Sequence, residues 1–165
     1  MSQGEASPIE AILGRAERAA DSGAQADLLI EAASLYEATA EYDRAFLVRA
    51  TAYRLRPSAR ERAALDRLVA FTGRLAELDA LFAETTPSLP DEDRAAAWLD
   101  LGRLRLHRLQ SAELALGALD IAVTLAPVGE AALLRADALA ELGRDRKSTR
   151  LNSSHERLAR MPSSA

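Results

Sequence analysis

From Ser7 onward, apolar residues recur at intervals of three and four positions, the spacing that lines one side of an α-helix. Ser7-Pro8-Ile9-Glu10 offers an N-cap, a proline at the first helical position and a glutamate able to reach back to the cap. It predicts a first helix running to about Ala20 and closed by Asp21-Ser22-Gly23. Leu28, Leu29, Ala32, Ala33, Leu35 and Tyr36 then mark one side of a second helix. Tyr42 to Leu55 forms a third, ended by Pro57, since the residue before a proline is steered away from helical geometry. Ser58 with Glu61 reads as a second capping box, opening a helix that stops at Gly73, a residue suited to a left-handed C-cap. Leu75 to Thr85 makes a fifth helix, broken by Pro87 and Pro90. Asp91 to about His107, Ser111 to Ala126 and Gly129 to Leu142 complete the set, separated by a turn near Gln110, by Pro127 and by Gly143. Loops this short place successive helices antiparallel.

Composition agrees with an all-α fold. Hydrophobic residues are 48% of the 165, aromatics only 4%, and the apolar share is carried by Ala and Leu more than by the β-branched residues that strands favour. There is no cysteine and there are two histidines, His107 and His155, too few for a thiolate or multi-histidine metal centre. A net charge of -4 argues against general nucleic-acid binding. The opening MSQGEASPIE has neither a basic start nor an apolar run, and no stretch is long and apolar enough to span a bilayer, so a cytoplasmic location is expected.

Lining up Pro57, Pro90 and Pro127 as the last residue of a unit of about 34 positions brings small residues and turns into register. Ala33, Tyr36, Ala45, Ala52 and Pro57 fall in one unit. Trp98, Leu101, Gly102, Ala115, Ala122 and Pro127 fall in another, the first three as W-x-x-L-G. Two helices of a hairpin approach closely only where side chains are small, and a bulky residue one turn away fills the gap to the next hairpin. This pattern resembles the tetratricopeptide (TPR) repeat, and the run TGRLAELDALF is similar to TPR-like arrays of high-GC bacteria. The resemblance implies TPR-like antiparallel hairpins in a right-handed superhelix of about three and a half repeats. After an N-terminal segment with the first helix (1–23), the units are 24–57, 58–90, 91–127 and a truncated 128–144. The second unit departs from the pattern at Asp66, where a small residue is expected.

The last 21 residues differ in kind. Lys147 is the only lysine and Asn152 the only asparagine, and residues 1–144 carry a charge of -7 against +3 for 145–165. Asp145 to His155 reads DRKSTRLNSSH, which resembles the translation of a common short-read sequencing adapter at all eleven positions. The ARMPSSA from Ala159 to Ala165 differs from that frame's continuation only at Ala159. The alternative is a natural Ser- and Arg-rich tail. Residues 145–165 are treated as adapter-derived and set apart from fold and function.

Candidate chemistry is sparse in residues 1–144: no G-x-S-x-G, H-E-x-x-H, Walker or dinucleotide-binding pattern occurs. His107, at a helix end near Arg103 and Arg105, suits capping better than general-base work. Asp91, Asp93, Glu41 and Asp43 sit at helix starts, where the helix dipole favours negative charge. No cofactor or metal is expected. The family likeness implies a concave surface lined by the first helix of each unit, giving Ile30, Ser34, Arg60, Arg67, Leu99, Arg103, Leu106 and Leu133 as groove positions. Arginines spaced by small or aliphatic residues suit a peptide bearing carboxylate or phosphate. The chaperone-binding TPR domains use Lys and Asn for a terminal carboxylate, and residues 1–144 contain neither. The expected function is non-catalytic binding of a peptide or protein segment. The rivals are a regulatory or sensory segment of a larger bacterial signalling protein (a transcription regulator or kinase) and, behind it, a small helical enzyme. Leu133, Leu134 and Leu139 on the truncated unit predict fraying or self-association there.

Overall fold

The computed structural model describes residues 7–127 and 129–159. Among them there are eight α-helices, one 3-10 turn and no strand: α1 (Pro8–Glu17), α2 (Ser22–Ala38), α3 (Tyr42–Leu55), α4 (Ala59–Thr72), α5 (Leu75–Thr85), the 3-10 turn Thr86–Ser88, α6 (Asp91–His107), α7 (Ala112–Leu125) and α8 (Gly129–Ala159). The chain divides at Leu89/Pro90 into two compact units, α1–α5 with the 3-10 turn and α6–α8.

Local chemistry sets most boundaries. The Ser7 amide donates to Glu10 Oε2 at 3.0 Å, the reciprocal half of the capping box that opens α1. That helix ends at Glu17, three residues short of expectation, because Asp21 opens a helix instead of closing one. Its carboxylate accepts the Ala24 N–H at 2.8 Å, so Ser22 and Gly23 form the first turn of α2. Ser58 Oγ accepts the Glu61 N–H at 3.2 Å, but the Glu61 carboxylate is turned to Arg49 and does not complete a box. Gly73 ends α4 at φ 69°, the left-handed region that glycine enters without a Cβ penalty. Ala40 (φ 60°) and Gln110 (φ 52°) make the same kind of turn after α2 and α6.

Gly143 does not end α8. Its φ is not positive, and no glycine or proline follows before Pro162, so the helix runs on to Ala159. The amphipathic pattern ends where the helix does not. Ala131 and Ala138 are buried and Leu134 and Leu142 pack on the core, whereas Arg144 to Lys147 are all exposed.

In the first unit each helix packs on its chain neighbours, α1 on α2, α2 on α3, α3 on α4 and α4 on α5. Asp27 pairs with Arg56 while Glu37 meets Arg49, so α2 and α3 run antiparallel; Arg49 with Glu61 and Tyr42 with Phe71 show the same for α3 and α4. Ala26, Ala32, Ala33, Ala45 and Ala52 are fully buried, letting backbones close on one another around Phe46, Tyr53, Leu65 and Leu78. Tyr53 meets Phe82 with ring centroids 5.7 Å apart, tying α3 to α5. Asp66 is exposed, so no small side chain is required there.

In the second unit α6 packs on α7, α7 on α8, and α6 also touches α8. A Cβ on Gly102 would lie 2.5 Å from Leu119 Cδ2, and Ala115, Ala118 and Ala122 are buried along the facing side of α7.

Candidate functional site

The sequence places four groove positions in each unit. In the first, α2 carries Ile30, half-buried, and Ser34, exposed. The Ser34 hydroxyl donates to the Ile30 carbonyl at 2.9 Å and accepts weakly from Arg49 Nη2 at 3.4 Å. Arg49 is the centre of a network that sequence reading missed. It is 5% exposed, its Nη1 donates to Glu61, itself 3% exposed, and its Nη2 donates to Glu37. One guanidinium thus joins α2, α3 and α4. Its Nε is buried without a partner among the described residues, so charge pairing is not matched by complete hydrogen bonding. A single arginine inside a run of helix-forming residues announces none of this. Glu37 and Glu61 each lie twelve residues from it, on the helices before and after α3.

On α4, Arg60 and Arg67 are both exposed and seven residues apart, two helical turns, and so lie on the same side of the helix. Neither has an ion-pair or hydrogen-bond partner among the described residues. Their neighbours differ: Arg44 donates to Glu41, Arg54 to Glu84, Arg56 to Asp27, Arg62 to the Tyr53 hydroxyl and Arg74 to Asp43 and Glu77. The hydrogen bond from Arg56 holds the Asp27 carboxyl below the usual carboxylate range, and the Asp43 and Glu77 carboxylates raise Arg74 above the usual arginine value.

Phe71, four residues beyond Arg67, was not marked as a site. It is 65% exposed and stacks on Tyr42 at 4.4 Å between centroids. The clue was its place outside the buried stripe of Ala64, Leu65, Leu68 and Val69.

In the second unit the expected positions diverge. Arg103 bonds Asp100 at 2.8 Å and Glu130 on α8, and the Glu130 contact raises its pKa. A ligand carboxylate would have to displace both partners. Leu99 is half-buried against the core, and Leu106 is 3% exposed within it, packed with Ala112, Ala115, Leu119 and Ala138. Leu106 closes the core and offers nothing to a ligand, a correction to its reading as a groove residue. Leu133 is 69% exposed and Leu139 is also exposed, but Leu134 packs against the core and is not part of an open face.

Among the described residues no group of three or more His, Asp or Glu is placed to hold a metal ion. No described helix is long and apolar enough to cross a membrane. Comparison with protein-family models, with curated proteins and with solved structures gives no match.

Proposed function

We propose that this chain is a helical-hairpin array of the tetratricopeptide kind that binds a peptide or protein segment without catalysing a reaction. In this reading about three and a half hairpins continue one another in a right-handed superhelix, and the first helix of each hairpin faces the ligand. One observation carries it: the small residues that fall in the repeat register are the ones that helix packing needs small. Ala33, Ala45, Ala52, Ala115 and Ala122 are buried, and Gly102 lies against Leu119 with no room for a methyl group. The proline register and the W-x-x-L-G run support the same assignment from the sequence side. A surface of this type recognises extended or helical segments through side chains on rigid helices, and such helices need little reorganisation to bind.

The test is selection of ligands from a displayed library of random peptides by the whole chain. The reading expects a family of related sequences that bind saturably, with dissociation constants on the order of micromolar. Enrichment of no sequence family over an unrelated helical protein would overturn it.

A further inference from the structure

We infer that the exposed line of α4 formed by Arg60, Arg67 and Phe71 is a recognition site for an acidic peptide segment that also carries an aromatic side chain. The inference rests on the peptide-binding reading above and narrows it to one helix of the first unit and one ligand chemistry.

Three observations converge on that line. Arg60 and Arg67 are exposed and without partners among the described residues, although carboxylates hold the arginines around them. An arginine fork left open presents paired N–H donors in the geometry a carboxylate accepts. Phe71 is eleven residues from Arg60, three helical turns, so all three side chains leave the same side of α4. Its ring is largely exposed, yet one face is fixed by stacking on Tyr42, which makes it a rigid apolar platform. Ala63 and Ala70 are also exposed beside the line, leaving the helix surface low enough for another backbone to approach.

Spacing defines the complementary segment. Arg60 and Arg67 are separated by about 10 Å along the helix axis and Arg67 and Phe71 by about 6 Å, at 1.5 Å per residue. A peptide in the polyproline II conformation advances about 3.1 Å per residue with every third side chain on one side, so acidic side chains three residues apart match the arginines and an aromatic three residues further comes within side-chain reach of Phe71. Nucleic acid fits less well. Its phosphates form a continuous line of negative charge, whereas this line offers two open arginines on a chain of net charge -4.

The probe is a blocked eight-residue peptide with Glu at the second and fifth positions, Phe at the eighth, and Pro, Gly or Ser elsewhere. It is titrated to millimolar concentration into the isotope-labelled whole chain and followed by amide and arginine side-chain NMR shifts. Saturable shifts centred on Arg60, Arg67, Phe71 and Tyr42 are expected. The double substitution Arg60→Gln/Arg67→Gln should weaken binding about tenfold or more, as should Gln in place of both peptide Glu residues. Phe71→Ser should weaken it several-fold while leaving the dependence on peptide charge. All three positions are exposed, so unchanged helical circular dichroism serves as the folding control. The inference is overturned if α4 shows no saturable shifts, if the Gln peptide or the double variant binds as well, or if an eight-residue oligothymidylate binds the same residues as tightly. Library-selected peptides that bind elsewhere on the chain would leave the general peptide-binding reading intact while this site fails.

Discussion

Arg49 is buried with two carboxylates for company, and that makes its substitution informative. Removing the guanidinium leaves Glu61 desolvated and unpaired, whereas Glu37, partly exposed, can recover water. Arg49→Met should therefore cost about 3–5 kcal/mol, while the double change Arg49→Met/Glu61→Leu should restore most of that loss because no buried charge remains. Urea denaturation of both variants checks this; a double variant as unstable as the single one would mean that the network matters for reasons beyond burial of Glu61. Two glycines give a second contrast at this scale. A methyl group on Gly102 would overlap Leu119, which is fully buried and cannot swing away, so Gly102→Ala should destabilise by about 1–3 kcal/mol. Gly117 is exposed with nothing near its absent Cβ, and Gly117→Ala should stabilise by about 1 kcal/mol through helix propensity alone. Thermal melts of the pair should move in opposite directions.

At the scale of elements, the punctuation that residue types carry was legible and the rest was not. Tyr42–Leu55 and Leu75–Thr85 stand where the pattern put them, because Pro57, Gly73 and Pro87 limit the helices by backbone geometry that no tertiary contact has to supply. The turns at Ala40 and Gln110 adopt the same left-handed conformation in residues that do not advertise it. Gly143 advertises a stop that does not occur. Asp21 was ambiguous in principle, since one Asp-Ser-Gly run can end a helix or cap the next, and the Ala24 amide decides for the second. The network around Arg49 was hidden because the partners of this α3 residue come from two other helices, α2 and α4, and pairwise proximity at that range is not a local property of sequence. Arg60 and Arg67 were visible as a spaced pair, but Phe71 gains meaning only once its neighbours are known to be buried.

The link between the start of α2 and the end of α3 gives a pH prediction. Arg56 lowers the folded pKa of Asp27 below its unfolded value, so the contact contributes stability above the unfolded carboxylate pKa and loses it as pH falls through the lower folded value. Both groups are exposed, and salt screens them. Asp27→Asn should therefore narrow the fall in urea midpoint between about pH 5 and pH 2.5, and the narrowing should shrink in molar salt. An Asn variant whose acid sensitivity equals that of the parent would remove this contact from the account.

At the largest scale, packing within each of the two units is concentrated between chain neighbours. The last helix packs on α7 and lightly on α6. Ala131 and Ala138 are buried, while Leu133 and Leu139 stand exposed on α8. Amide hydrogen exchange should be faster across residues 129–143 than across 94–126, and equal protection in a monomer would contradict it. The central claim, that a ligand is held on the first helices of the hairpins, is tested most directly by site-specific photo-cross-linking. A benzophenone amino acid is placed in turn at Ala63 on α4, Ala96 on α6, Thr51 on α3 and Glu113 on α7, all exposed positions, and each variant is irradiated with a library-selected peptide. Cross-links from Ala63 and Ala96 with little from Thr51 and Glu113 are the predicted result; cross-links equal at all four positions, or confined to Thr51 and Glu113, would contradict it.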